Sequence, residues 1–308
     1  MERRSVIIVH GEVFITCFAD MYFSDLAVNR NKRSYLSVRV FICLFVFLLL
    51  ALDLTSQENS FQDYSFKPDG AYFKSYWTVT KKIPTGPARW KASEWITFSG
   101  IIAGGTLLYI YDDEILKWIQ RAPGQGKDRL SKYVLEPWGS GLYPAFLLGG
   151  YYIYGLAADN LRARQVALGG VQAFIMTSIA TQVIKHITHR HRPNQDDPSN
   201  PRLWEGPFTG WEYSAFPSGH TSAAFALATL FSSIYRDRLW VSFLSYGLAT
   251  GVAWSRMYDN KHWPSDVFIG AALGFAIGKT VYHVMQGQTN LTLGISRYGG
   301  VSLVYHFN

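Results

Sequence analysis

Two basic side chains stand at the end of a long apolar run, where together they could bind an anion. Lys185 and Arg192 lie seven residues apart in the stretch Lys-His-Ile-Thr-His-Arg-His-Arg-Pro. A helix would return them to within about 20° of one face, whereas Pro193 disfavours helical geometry at Arg192. We therefore expect a helix that ends here and turns into a loop. The alternative is a solvated basic helix end, stabilised by the helix dipole.

A second stretch, Pro217-Ser218-Gly219-His220, precedes residues that favour a helix. Ser218 and Gly219 stand where backbone N–H groups and a hydroxyl can face an anion at a helix N-terminus. Glycine permits close approach to the backbone, and His220 supplies a titratable proton donor beside it. The alternative is an ordinary serine cap with an incidental histidine.

The third stretch contains Arg256, His262, Pro264 and Asp266. Proline suits the first turn of a helix, which would place His262 just before the helix and Asp266 within reach of its imidazole. A carboxylate on one ring nitrogen fixes the tautomer and leaves the other nitrogen able to attack an electrophile. The alternative is a buried His–Asp hydrogen bond that only secures the start of the helix.

The order of these stretches along the chain predicts that they meet. If consecutive helices run antiparallel, two of them end at Lys185 and Arg256, and two begin near His220 and His262. All four points then fall at one end of a helix bundle. Three cations, a helix N-terminus and two histidines would together bind a tetrahedral dianion, attack it and protonate its leaving group.

Long uncharged runs supply the elements that must position these residues. Their length and periodicity predict helices, at 94–121, 137–158, 161–185, 220–235, 239–255 and 264–285. We therefore expect an all-α fold, a six-helix bundle. Glycines inside the runs, among them Gly270, Gly274 and Gly278, indicate close helix packing.

In the C-terminal tail, apolar residues repeat with a different period. Apolar residues alternate in 291–295 and 301–307 around Arg297-Tyr298-Gly299-Gly300, which predicts a short C-terminal β-hairpin. Two strands alone would be marginally stable.

The N-terminal region is typical of an export signal. A basic patch at 30–39 leads into the uncharged run 40–52 and then into polar residues. The run is short for a bilayer core of about 30 Å, and the alternative is an uncleaved anchor. We therefore divide the chain into an export signal region (1–57), a lead-in segment (58–90), a helical domain (91–286) and the hairpin (287–308).

Composition narrows the function classes. The 308 residues are 48% hydrophobic, enough to bury a core, and 29 Lys and Arg against 22 Asp and Glu give a net charge of +7. The basic residues are scattered between apolar stretches, which argues against nucleic-acid binding.

Both cysteines precede residue 44, so a cysteine zinc site is excluded from the rest of the chain. The histidines near Arg190 have no carboxylate at ligand spacing, which argues against a metal site. Asp196 and Asp197 are interpreted as solvated loop residues.

The three stretches resemble the three-part signature of the type 2 phosphatidic acid phosphatase and vanadium haloperoxidase superfamily, across roughly residues 90 to 285. The resemblance implies the six-helix bundle of that superfamily and a phosphatase of the membrane-associated phospholipid type. It also implies that no metal cofactor is needed and that vanadate binds as a phosphate mimic. By this resemblance, phosphate would be held by Lys185, Arg192, Ser218, Gly219 and Arg256. His262 would be the nucleophile that forms a phosphohistidine, Asp266 would orient it, and His220 would protonate the leaving group.

The resemblance leaves the substrate open among a phosphorylated lipid, such as phosphatidic acid, a polyprenyl diphosphate or lipid A, and a small phosphate ester. Vanadium-dependent haloperoxidase activity and a non-catalytic lipid-phosphate carrier are the alternatives. The signal predicts export to the periplasm or the membrane surface. Antiparallel membrane spans, together with the basic residues of 112–136, would instead place the catalytic end in the cytoplasm. An integral protein with six spans is therefore the alternative localisation. No pattern indicates the oligomeric state.

Overall fold

The apolar runs fold into helices, which confirms that the fold is mostly helical. The computed structural model describes residues 66–207, 209, 212–289, 291–295 and 301–305. The predicted export signal region and the predicted turn at 297–300 lie outside the described residues. The main helices are α1 (Gly70–Thr85), α2 (Ala92–Ile110), α3 (Asp112–Gln120), α4 (Gln125–Leu130), α5 (Leu142–Ala157), α6 (Leu161–Thr188), α7 (Gly219–Ile234), α8 (Leu239–Tyr258) and α9 (Pro264–Thr289). Shorter pieces are a 3-10 turn (Pro87–Arg89), a π turn (Ser131–Leu135) and an α turn (Glu136–Gly139).

The expected count of six helices is not confirmed. The helix expected at 94–121 breaks at Tyr111, whose φ of −104° and ψ of 15° are not helical, and the break turns Asp112 into the interior. The helix expected at 137–158 is interrupted at Gly141, whose φ of 94° is left-handed and costs glycine little. The segment predicted as a lead-in contains α1, which Asp69 caps by accepting a hydrogen bond from the Tyr72 N–H at 2.9 Å.

Two strands follow α9, β1 (Leu291–Ile295) and β2 (Val301–Tyr305). They pair antiparallel, with Leu291 opposite Tyr305 and Ile295 opposite Val301. Because the residues that would connect them are not described, the closed hairpin stays a prediction.

α7 lies at the centre of the helix packing and contacts α6, α8 and α9. Its many small residues, Ala223, Ala224, Ala226 and Ala228 among them, are buried. α9 approaches it through glycines: a Cβ at Gly270, Gly274 or Gly278 would lie 2.8 Å or less from a carbonyl oxygen of α7 or of its cap residue. The two backbones can therefore contact each other, which fixes the start of α7 against the start of α9.

Among the described residues, two stretches are long and apolar enough to cross a membrane, α6 and the segment Pro264–Gly287 of α9. Large apolar side chains are also exposed elsewhere, such as Ile96, Leu239 and Phe243. These features suggest membrane association, and the expected six spans are not confirmed.

Candidate active site

The structure brings the predicted site residues together at one end of the helices. The last turns of α6 and α8 meet the first turns of α7 and α9 around a cleft of about 410 Å³. Six of the predicted residues line the cleft, namely Lys185, Arg192, Gly219, His220, Arg256 and His262. Ser218 and Asp266 lie directly behind it and are fully buried.

Besides Lys261, the three predicted cations line the cleft, and each of these three is anchored by a neutral or acidic group. The Lys185 ammonium donates to the carbonyl of Ser214, and Arg192 Nη2 donates to the Ser214 hydroxyl at 2.9 Å. Arg256 Nη2 donates to Asp259 Oδ2 at 2.7 Å. Burial lowers the pKa of both guanidinium groups. A bound anion would offset that desolvation, so the arrangement favours a multiply charged anion.

The N-terminus of α7 opens toward these cations. Ser218 is its cap residue, with its backbone N–H donating to the Asp266 carbonyl at 3.0 Å and its hydroxyl 3.0 Å from the Thr221 hydroxyl. A Cβ added at Gly219 would meet only atoms of Lys185 and Thr181, both at 3.9 Å. The first N–H groups of a helix have no partner within it, so the open side of Gly219 offers donors to an anion beside Lys185.

His262 lies at the base of the cleft against Asp266. Its Nδ1 is 3.7 Å from Asp266 Oδ2, longer than a hydrogen bond, and that oxygen accepts from the Trp263 N–H at 2.9 Å. Within the described part of the chain, His262 Nδ1 is buried without a hydrogen-bond partner. Burial lowers the pKa of His262 to about 3, Asp266 opposes this effect, and Lys185 and Arg192 reinforce it. The ring is therefore neutral at pH 7, as a nitrogen nucleophile must be.

His220 faces His262 across the same cleft and has a different partner. Its Nε2 lies 3.3 Å from Glu136 Oε1, which comes from the α turn before α5. Burial and the charge of Arg256 lower the pKa of His220, whereas Glu136 raises it. Burial and the two cations Arg256 and Lys185 therefore favour the neutral ring of His220, and Glu136 favours the protonated ring.

A buried charge network lies behind His262. Arg190 Nη1 donates to Asp266 Oδ1 at 2.5 Å, and Arg190 Nη2 donates to Asp112 Oδ2 at 2.6 Å. Ser265 joins the network by donating to Asp112 from its backbone N–H at 2.8 Å and from its hydroxyl at 2.6 Å.

Sequence reasoning missed the partners Asp112, Glu136, Arg190, Ser214 and Ser265. Asp112 is 78 residues from Arg190, and Glu136 is 84 residues from His220. No local motif joins such residues, and Arg190 reads as one member of a basic helix end. Asp112 gave no separate signal, because it is followed directly by Asp113 and Glu114 and reads as part of an acidic helix start.

The other polar residues of the loop after α6 have structural contacts. The interpretation of Asp196 as a solvated loop residue is wrong, because it accepts from His191 Nδ1 at 2.9 Å while Glu205 contacts His191 Nε2 at 2.9 Å. Asp197 is exposed, as expected. His189 Nδ1 contacts the Gly206 carbonyl at 2.8 Å. These contacts fasten the loop that carries Arg192 and Ser214.

The region of the chain that contains the site is similar to known proteins. The model of the PAP2 superfamily matches residues 167–290, which include all the predicted site residues. A lipid A 1-phosphatase of Porphyromonas gingivalis is 43% identical over 76 residues, which are 24% of this chain and 17% of that protein. A solved structure, the first transmembrane PAP2 type phosphatidylglycerolphosphate phosphatase from Bacillus subtilis, is 18% identical with a TM-score of 0.46 and covers 61% of this chain and 95% of that one.

A second relative is matched over more of its length. The decaprenylphosphoryl-5-phosphoribose phosphatase of Mycobacterium tuberculosis is 32% identical over 136 residues, which are 44% of this chain and 70% of that protein. This match and the family model both bear out the resemblance that the three signature stretches predicted. With its signature residues gathered at one cleft and a relative matched across most of its length, this chain belongs to the PAP2 superfamily.

Proposed function

We propose that this protein is a phosphoric ester hydrolase that removes phosphate from a phosphorylated lipid through a phosphohistidine intermediate. The observation that carries the proposal is a buried histidine, His262, in a cleft that is also lined by Lys185, Arg192 and Arg256. Phosphoryl transfer needs positioning and stabilisation of charge on the equatorial oxygens. Basic side chains supply the positive charge that stabilises these oxygens here, so the proposed reaction needs no metal cofactor.

Binding is the first step. Lys185, Arg192 and Arg256 would hold the non-bridging oxygens of the phosphoryl group, with the Ser218 hydroxyl and the Gly219 N–H as further donors. Guanidinium groups suit this role because their planar donor pairs match phosphate oxygens. The phosphorus atom would then lie between His262 and His220.

Attack by His262 is the second step. Its Nε2 would form the N–P bond as the bond from phosphorus to the leaving oxygen breaks, so the imidazole gains positive charge. Asp266, 3.7 Å from Nδ1, would stabilise that charge and hold the ring in place. Water would later attack the phosphohistidine, releasing phosphate and returning His262 to its neutral form.

Proton transfer belongs to His220. In the first half of the reaction it would give a proton to the departing alkoxide, and in the second half it would take a proton from the attacking water. A bound dianion would raise the proton affinity of His220 and favour the acid form when it is needed.

A phosphorylated lipid is the favoured substrate class because several features agree with it. Two relatives of this chain are a lipid A 1-phosphatase and a decaprenylphosphoryl-5-phosphoribose phosphatase, and two apolar helices suggest membrane association. Phosphatidic acid, a polyprenyl diphosphate and lipid A all remain within this class. Export to the periplasm through the signal at 1–57 is part of the proposal.

The direct test is phosphate release by the full chain in EDTA. The substrates are phosphatidic acid, a polyprenyl diphosphate, lipid A and a soluble phosphomonoester, each assayed with and without detergent micelles. Release in EDTA from a lipid in preference to the soluble ester supports the proposal. No release from any substrate, with vanadate-dependent oxidation of bromide instead, would overturn it in favour of a haloperoxidase, and phosphate binding with neither reaction would favour a carrier.

Glu136 is expected to set the alkaline side of the pH profile. His220 acts as an acid only below its pKa, and Glu136 raises that pKa, so kcat/KM falls as pH rises through it. Replacing Glu136 with glutamine should therefore move the alkaline limb to lower pH, by about 0.5 to 1 unit for a partly exposed pair. The measurement is kcat/KM against pH with one substrate for all variants.

The matched control for this profile is Glu205→Gln. That carboxylate contacts His191 rather than His220, so its loss should leave the limb in place. An unchanged limb in Glu136→Gln would show that His220 does not titrate under the influence of Glu136.

A further inference from the structure

Asp266 is held by a guanidinium that it shares with a second carboxylate. Arg190 binds Asp266 through Nη1 and Asp112 through Nη2, at 2.5 and 2.6 Å. All three side chains are buried, with exposed fractions of 1% for Arg190 and 0% for both carboxylates. The group therefore contains two negative charges and one positive charge, shielded from water.

Arg190 has little freedom to move within this network. Its guanidinium carbon lies 4.9 Å from the ring centroids of Tyr109 and Trp204 and 5.6 Å from that of Trp263. Its Nε and Nη2 also donate to the Pro201 carbonyl, at 3.1 and 2.8 Å. A fixed guanidinium fixes Asp266 Oδ1, so Asp266 Oδ2 stays directed at the Trp263 N–H and the His262 ring.

The net charge of Arg190 and the two carboxylates decides whether Asp266 can attract a positively charged imidazole. If Arg190 paired with Asp266 alone, the pair would be neutral and its attraction for a positive imidazole would be weak. Asp112 takes the other side of the guanidinium. Burial raises the pKa of Asp112, whereas Arg190 and Ser265 oppose the rise, and the three hydrogen bonds that they donate are those that an ionised carboxylate accepts. One uncompensated negative charge therefore remains beside His262, where Lys185 and Arg192 otherwise disfavour positive charge.

We propose that Asp112 and Arg190 are positioning residues for the nucleophile: Asp112 offsets the charge of Arg190, so that Asp266 can stabilise the positive imidazole of the phosphohistidine. This inference rests on the proposed function. Asp112 begins α3, outside the residues 167–290 that match the family model. It acts through Arg190 and Asp266 and does not itself touch the substrate.

The test compares the isosteric variant Asp112→Asn with the wild type in the full chain. Loss of one buried charge near His262 should lower kcat on the order of tenfold, with KM and the binding of inorganic phosphate unchanged. In rapid-quench experiments with ³²P-labelled substrate, the rate of phosphoenzyme formation should fall by the same factor. Ser265→Ala removes hydrogen bonds from the network but no charge, so its kcat should stay closer to that of the wild type.

A double variant separates charge balance from loss of a structural contact. Asp112→Asn combined with Arg190→Gln removes one charge of each sign and leaves Asp266 as the single anion. Its kcat should exceed that of Asp112→Asn, whereas a purely structural role predicts a further loss. If the single variant does not fold, as judged by circular dichroism, the double variant is compared with the wild type and should lie within about tenfold of it.

Three outcomes overturn the inference. A folded Asp112→Asn with unchanged kcat would show that its charge does not reach His262, and a double variant slower than the single variant would show a structural role. In both cases the wild type would still form phosphohistidine, so the proposed function would survive. Absence of phosphoenzyme in the wild type would instead overturn the proposed mechanism and this inference with it.

Discussion

Replacing His262 with alanine is expected to reduce phosphate release by about 10⁴-fold or more, the scale seen when a covalent nucleophile is removed. The reason is geometric: the proposed nucleophile His262 lines the cleft, and the guanidinium groups around it cannot form a bond to phosphorus. Those cations remain in the variant, so inorganic phosphate should still bind with a Kd close to that of the wild type. Steady-state rates and calorimetric titration with phosphate measure the two quantities.

A second measurement on the same variant tests the covalent step. Wild-type protein quenched during turnover of a ³²P-labelled substrate should carry label that is stable in alkali and lost in acid, and His262→Ala should carry none. His283→Ala is the matched control, because this exposed histidine lies on α9 well beyond Asp266 and its loss should change neither rate nor label. Turnover retained in His262→Ala would exclude this residue as the nucleophile.

Replacing His220 with asparagine is expected to produce a loss that depends on the leaving group. An alkoxide leaves slowly without a proton, so hydrolysis of a lipid phosphate should fall by about 10²- to 10⁴-fold, the usual contribution of a general acid. p-Nitrophenolate leaves without protonation. Its release in the first turnover should therefore be nearly as fast as in the wild type, while later turnovers slow because water attack also uses His220.

The comparison between the two substrates is the control for damage to the cleft. A variant that binds phosphate poorly would lose activity on both substrates equally, and its p-nitrophenol burst would disappear. Equal losses would therefore contradict the role of His220 as the acid. Glu136→Gln should show a milder form of the same substrate dependence, because Glu136 contacts His220, the proposed acid.

Much of the site could be predicted from short-range patterns in the sequence. The seven-residue spacing of Lys185 and Arg192, the serine and glycine before α7, and the proline that starts α9 each report local backbone geometry. Helix order then places these points at one end of a bundle, and the structure brings the residues together at one cleft. The glycines of α9 predicted close helix contact by the same kind of local argument.

The tertiary structure alone decided which distant charges meet. Asp112 and Arg190, or Glu136 and His220, have no shared periodicity and no fixed spacing, and they meet only after α3 and the turn before α5 pack beside the site. Periodicity and capping act over a few residues and can be read from the sequence, whereas the pairing of buried charges depends on which helices come together.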